Sequence, residues 1–150
     1  MKNEKSEKST KVKLLPDIGE KPHQPNIIFK KTVFAGTPRS FHHKYFLEFP
    51  WLHYNETEDK VYCSYCVKCI KENLSKSNFS KAEAFTYDGF NYWNKIPERF
   101  RRHQNSEEHK EARCKISAQN VLHLFFVSQY FSPLMTKNIT VANMILESST

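Results

Sequence analysis

Two pairs of metal-binding residue types frame the middle of the sequence and restrict its fold more than any other feature. Cys63 and Cys66 form a Cys-x-x-Cys pair, and His103 and His109 follow after residues 67–102. Two thiolates and two imidazoles can enclose one tetrahedral Zn²⁺ ion. Because four protein ligands leave no open coordination position, the pattern predicts one structural zinc rather than a catalytic one.

The spacing of the two histidines predicts a break in the backbone between them. Six positions along one regular helix would place them about 120° apart and about 9 Å apart in rise, so they could not bind one ion from such a helix. A helix is predicted over residues 92–104, ending near Asn105. Ser106 is a good N-cap, and Glu107 and Glu108 suit the positive start of a second helix.

The rest of the chain divides around this pattern. Residues 1–25 are polar and then rich in proline, which predicts a disordered basic tail. Residues 26–113 are predicted to form a small α+β zinc-finger domain, with a short β-hairpin and helices around one zinc. Residues 114–150 are predicted to be a helical, partly disordered segment.

Several local predictions complete this fold. A strand over residues 60–63 delivers the first thiol, and its hairpin partner, or else an extended return of the chain, is expected near residues 85–87. Aromatic residues at helical spacing predict a buried helix between Phe41 and Phe49. Cys69 is interpreted as a small buried residue and Cys114 as a bystander.

Charge and apolar content limit the partners and the compartment. The formal net charge of +7 suits a polyanion. Residues 41–113 nevertheless hold twelve Lys and Arg against eleven Asp and Glu, so the surplus lies mainly in the tail. No apolar run approaches the roughly 20 residues that a membrane span needs, and no signal peptide is expected. The Cys and His spacing favours metal in a reducing compartment over disulfides.

Taken together, an ordered set of motifs resembles the TTF-type zinc finger of hAT-transposon-derived and zinc-finger MYM-type proteins. The resemblance covers about residues 20–113. Its motifs are Gln24-Pro25, Arg39-Ser-Phe41, Phe49-Pro-Trp51-Leu52 with Tyr54, Val61-Tyr-Cys63 with Cys66, Phe85, Gly89-Phe90 with Trp93, and His103-x-x-Ser106-x-x-His109-Lys110. It implies that Cys63, Cys66, His103 and His109 are the zinc ligands, and that the protein is nuclear and binds DNA. Residues after Arg113 do not match the family, so its transposase core is expected to be absent.

The predicted function is therefore a non-catalytic, zinc-dependent DNA-binding module of a transposon-derived nuclear protein, with no small-molecule substrate. The alternative is a zinc-stabilised protein–protein interaction module that contacts its partner through residues 114–146. Transposase activity is disfavoured because the acidic residues are scattered and form no metal-binding set. The predicted nucleic-acid contacts are Lys95, Arg99, Arg101, Arg102, Lys110 and Arg113.

Overall fold

The computed structural model describes residues 13–147, and the burial of their side chains as far as Tyr130. These residues form a small α+β arrangement of two short antiparallel hairpins and five α-helices, which agrees with the predicted fold class at that level. The chain divides into two units, the first ending at Ala112 and the second beginning at Arg113. In chain order the elements are β1 (Thr32–Phe34), β2 (Thr37–Arg39), α1 (Lys44–Glu48), β3 (Leu52–Asn55), β4 (Lys60–Cys63), α2 (Ser64–Lys71), α3 (Glu83–Thr86), α4 (Ile96–Gln104) and α5 (Glu107–Glu147), with 3₁₀ turns at Phe79–Ala82 and Trp93–Lys95.

The first hairpin, β1 and β2, is largely exposed. Val33 pairs with Pro38, and Phe34 pairs with Thr37 across the turn. Both turn residues have positive φ, 47° at Ala35 and 76° at Gly36. Two residues with positive φ suit the short turn that matches the twist of a hairpin.

The second hairpin, β3 and β4, is buried and pairs Leu52 with Cys63. The prediction that residues 85–87 supply the partner strand is wrong, because Phe85 lies in α3. The later chain extends the pairing of β4 through a described bridge between Val61 and Phe90, with two backbone hydrogen bonds of 2.9 Å. The actual partner of β4 is its neighbour in sequence, since residues 56–59 alone separate β3 from β4, and residues 52–55 were not recognised as a strand.

Gly89 allows that close approach of the chain to β4. Its φ is 74°, and a Cβ added there would lie 2.7 Å from side-chain atoms of Lys60 and Tyr62. A side chain at this position would meet both backbone strain and a steric clash. The turn before Phe90 therefore requires glycine.

Aromatic side chains fill the core of the first unit. Phe100 on α4 is 0% exposed. Its ring centroid lies 5.2–6.0 Å from those of Tyr45, Phe49, Trp51, Phe85 and Phe90. The helix predicted between Phe41 and Phe49 is present as the shorter α1, and both of these phenylalanines are buried.

The first unit also includes residues that were predicted to form the disordered tail. Residues 1–12 lie outside the described part of the chain, but residues 13–25 lie against the fold. Ile18 is 8% exposed and packs with Tyr62 and Val67. Hydrogen bonds of His23 and Gln24 reach Pro50, Leu52, His53 and Tyr54. The structured region therefore starts earlier than predicted, because isolated apolar residues such as Ile18 produce no periodic pattern.

The second unit consists of the continuation of α5. A helix was predicted here, but its predicted end at Ser132-Pro133 is wrong because α5 continues to Glu147. A proline inside a helix removes one N–H donor and crowds the preceding turn without always ending the helix. Seven large apolar side chains are 40–71% exposed: Val121, Leu122, Leu124, Phe125, Phe126, Val127 and Tyr130. Among the described helices, none has both the length and the apolar character that crossing a bilayer requires.

Candidate metal centre

Cys63 and Cys66 lie on either side of a strand-to-helix junction. Cys63 is the last residue of β4 and the N-cap of α2, with extended φ and ψ of −90° and 112°. The N–H of Ser64 donates to the Trp51 carbonyl at 2.9 Å, which fixes this junction to β3. Helix α2 was not predicted, and it carries Cys66 in its first turn. Both sulfurs are fully buried near the positive end of a helix dipole, an environment that favours thiolates.

The two histidines lie on either side of the predicted helix break. Helix α4 ends at Gln104, and α5 begins at Glu107. The Ser106 hydroxyl donates to the His103 carbonyl at 2.7 Å and accepts from the His109 N–H at 3.3 Å. Ser106 therefore caps α5 as predicted, and the break turns both imidazoles to one side.

The four donor atoms converge on a single point, which fits one metal ion. All four lie within 4.8 Å of one another. Cys63 Sγ is 3.3 Å from His109 Nδ1, and Cys66 Sγ is 3.7 Å from His103 Nε2. The two histidine nitrogens are 3.2 Å apart. A tetrahedral zinc site would require about 3.6 Å between sulfur and nitrogen and about 3.3 Å between nitrogens. The four residues can hold a single metal ion with little rearrangement.

The two neighbouring thiols have pKa values shifted in opposite directions, so ionisation of one disfavours ionisation of the other. Burial opposes ionisation of Cys63, but hydrogen bonds from Cys66, His103 and His109 outweigh it and hold the pKa of Cys63 well below its usual value. The contact with Cys63, followed by burial, raises the pKa of Cys66. A divalent cation would replace the proton on Cys66, so metal binding should release protons and weaken in acid.

Aromatic rings enclose the four ligands. The Trp51 ring lies 5.0 Å from that of His103 and 5.3 Å from that of His109. Phe85 packs on His103 at 4.4 Å. The indole N–H of Trp51 donates to the Gln104 side chain at 2.9 Å, which links the residue before β3 to the end of α4. This apolar shell restricts the access of water and fixes the orientations of the rings.

The remaining cysteines lie outside the group of four. Cys69 is 0% exposed on α2, in agreement with its interpretation as a small buried residue. Cys114 is exposed on α5. Neither belongs to the metal-binding group found among the described residues.

The six predicted nucleic-acid contacts are distributed over a 3₁₀ turn, α4 and α5, and two of them form ion pairs with carboxylates. Arg101 forms an ion pair with Glu48 at 3.0 Å, and Lys110 forms one with Glu107 at 3.0 Å. Lys95 is exposed at the end of a 3₁₀ turn, and Arg113 is exposed on α5.

Arg99 and Arg102, by contrast, line one cleft of about 290 Å³ together with Lys81. Lys81 was not predicted as a contact, because it lies in a polar segment that is separate from α4 in the sequence. No local signal connects it to α4.

No family model, curated protein or solved structure matches this chain. The resemblance to TTF-type fingers therefore depends on the sequence motifs alone, and function has to be inferred from the chemistry of the site.

Proposed function

We propose that this protein is a non-catalytic module that a structural Zn²⁺ ion stabilises and that binds DNA. The observation that carries the proposal is the convergence of Cys63, Cys66, His103 and His109 in a buried site. The ion would join the β3–β4 hairpin and α2 to the α4–α5 junction.

The donor set supports zinc over other metals. Two thiolates and two imidazoles in tetrahedral arrangement are typical of zinc, whereas Mg²⁺ and Ca²⁺ prefer oxygen ligands. The four ligands are at most 5% exposed, so no coordination position remains for a water or a substrate. This complete coordination supports a structural role.

Cationic side chains beside the site support DNA as the partner. Arg99 and Arg102 are exposed on α4, three positions apart and therefore on one helix face. Among the described residues, neither forms an ion pair with a carboxylate. Cations of this kind contact backbone phosphates and release counterions from the DNA. Such binding weakens as the salt concentration rises, because the release of counterions then gains less free energy.

Membership of the TTF-type, transposon-derived family and a nuclear location belong to the same proposal. The residues that carry the resemblance include buried core positions such as Phe41, Trp51 and Trp93, as well as the four metal-site residues. A motif that coincides with the core and the metal site supports a shared fold.

Metal analysis and DNA titration on one preparation test the proposal. Protein purified under reducing conditions should carry one zinc per chain and bind duplex DNA, with affinity falling as salt rises. His109→Ala should lose both the zinc and the DNA binding. His123→Ala, at an exposed position of α5, is the control and should retain both. Zinc-loaded protein that binds no duplex at low salt would contradict DNA binding, and protein that folds without metal would contradict the structural zinc.

The exposed apolar side chains of α5 favour a second candidate, a zinc-stabilised protein-interaction module. Contiguous exposed apolar surface is typical of an interaction site. Leu122 and Phe125 are both more than half exposed and lie three positions apart on the helix. A zinc-loaded protein that ignores DNA but associates with a protein in a manner lost on Leu122→Ser and Phe125→Ser would favour this candidate.

A further inference from the structure

We infer that the cleft beside α4 seats one phosphate group of a nucleic-acid backbone. This α4 cleft is lined by Lys81, Arg99 and Arg102, with Phe85, Phe90 and Ser106 among the other lining residues. The inference deepens the proposed DNA binding and rests on it, because it names the site and the three cations that would hold the phosphate.

Among the residues that the structure describes, no carboxylate forms an ion pair with the three cations of the α4 cleft. None of its lining residues is acidic. Glu98 lies one helical turn before Arg102 without forming an ion pair with it among the described residues. Arg101, on the same helix, pairs instead with Glu48 at 3.0 Å. Three cations around one concave surface therefore favour an anion between them, and arginine is well suited to phosphate because its planar guanidinium can donate two parallel hydrogen bonds.

The floor of the α4 cleft favours a phosphate over a stacked base. Phe85 and Phe90 stack on each other with ring centroids 5.1 Å apart and are only 5% and 2% exposed. Stacking on a base requires an accessible ring face. These buried rings instead provide an apolar wall, beside which a charge–charge contact is less weakened by water than on an open surface.

The metal centre holds one wall of the α4 cleft in place. His103 lines the cleft and also belongs to the group of metal-binding residues. Arg102 precedes His103 directly, so its backbone position is set by the same helix end. Removing the metal should therefore disturb the cleft as well as the core.

Substitution of the three cations tests whether the α4 cleft binds a phosphate; this phosphate-binding site is called the seat below. The triple variant Lys81→Gln, Arg99→Gln, Arg102→Gln should lower the slope of log affinity against log salt by about one and weaken duplex binding about tenfold near 0.1 M salt. Because the cations share one phosphate, Arg99→Gln alone should give most of this loss, and the further changes should add less than their separate effects. Zinc content and thermal unfolding check that each variant is folded.

A charge-matched control distinguishes a specific phosphate-binding site in the α4 cleft from general electrostatic attraction to DNA. Arg39 and Lys76 are exposed residues of the first unit that do not line the α4 cleft. The double variant Arg39→Gln, Lys76→Gln should weaken binding clearly less than Arg99→Gln, Arg102→Gln, which removes the same charge. Equal losses in the two double variants would overturn the seat.

Titration with inorganic phosphate, monitored by NMR, distinguishes a cleft that does not bind phosphate from a protein that does not bind DNA. Phosphate should shift the side-chain N–H signals of Arg99 and Arg102 and the amide of Ser106, and the triple variant should abolish the saturable response. If phosphate is seated but duplex DNA is not bound, the seat stands and the proposed function fails. If duplex DNA binds but phosphate produces no saturable shift and the triple variant binds like the wild type, the seat fails and the function stands. If neither ligand binds, both fail.

Discussion

Phenylalanine is mostly buried in the first unit of this chain and exposed in the part of the second unit whose side chains are described. Phe100 in the first unit is 0% exposed, whereas Phe125 and Phe126 in the second are 57% and 56% exposed. Full burial of such a side chain stabilises a fold by about 1.5–3 kcal/mol. The first unit therefore depends on packing and, under the proposed function, on a bound metal ion, whereas the described part of the second depends mainly on hydrogen bonds within its helix. Composition alone does not distinguish the two regions.

Among these tests, loss of a metal-binding cysteine should have the largest effect on the stability of the first unit. Cys66→Ala should abolish metal binding and the cooperative unfolding of the first unit, because structural zinc contributes about 10–16 kcal/mol in zinc-finger peptides. Cys69→Ala, on the same helix and equally buried, should keep the metal and cost about 1–2 kcal/mol. Zinc content and urea unfolding measure both variants. Loss of zinc in Cys69→Ala would make Cys69 a fifth candidate ligand.

Truncation of matched phenylalanines tests the comparison directly. Phe100→Ala should lower the free energy of unfolding by about 3–5 kcal/mol, because it leaves a cavity among five aromatic rings. Phe125→Ala should change it by less than about 0.5 kcal/mol, since the side chain is exposed. Urea unfolding of the zinc-loaded proteins gives both values. A large loss at Phe125 would mean that the second unit buries this ring in solution.

Acid should lower the stability of the first unit, because the buried His53 ring then becomes protonated. Burial, followed by the neighbouring His23, lowers the pKa of His53 to about 4. Its Nδ1 accepts the His23 N–H at 3.0 Å, which requires the neutral ring. The unfolded chain binds this proton near pH 6.5, so the contribution is complete above that pH and is lost as the pH falls toward about 4.

The expected loss over this window is about 2–3 kcal/mol in the free energy of unfolding. His53→Asn retains an acceptor for His23 and should show a shallower decline than the wild type when unfolding is measured from about pH 7.5 to about pH 5 with excess zinc. His123→Asn, at an exposed position of α5, should give the wild-type profile. Identical profiles for all three proteins would remove His53 as a source of acid sensitivity.

Substitution of two glycines tests local packing within the first unit and should give smaller changes in stability. Gly89→Ala should cost about 2 kcal/mol, because it combines positive φ with a clash against Tyr62. Gly19→Ala should be neutral within about 0.5 kcal/mol, since a Cβ there would meet nothing within 4 Å. Thermal unfolding compares the two. An equal response would show that the turn at Gly89 can relax.

The metal centre could be predicted from sequence because its determinants are local. The spacing of His103 and His109 requires a helix break, and Ser106 is the cap that supplies it. The two short residue pairs identify the four side chains that the fold brings together, without knowledge of the intervening fold. The buried aromatic core was also predictable, because large rings at helical spacing indicate a packed face.

Long-range contacts explain part of what the sequence did not predict. Lys81 reaches the α4 cleft only through the tertiary fold, and the bridge between Val61 and Phe90 likewise joins segments that are distant in sequence. The pairing of β3 with β4 is local, and it was missed because residues 52–55 were not recognised as a strand. Helix α2 had a usable signal, since Cys66 and Val67 lie four and three positions before Ile70, but the Cys-x-x-Cys pair was considered only as a pair of metal ligands. The helix beyond Pro133 shows that a proline is a weaker stop signal inside a long helix than its local propensity suggests.

The segment at residues 13–25 determines how the protein should be shortened for study. Gln24 donates to the carbonyls of Pro50 and Leu52, and His23 accepts the N–H of Tyr54. A fragment that starts at residue 26 would follow the boundary that composition suggests, yet it would remove these hydrogen-bonding partners from the edge of the hairpin. Recombinant fragments intended for crystallisation or DNA assays should therefore begin no later than residue 13, so that a poorly behaved sample is not mistaken for a missing activity.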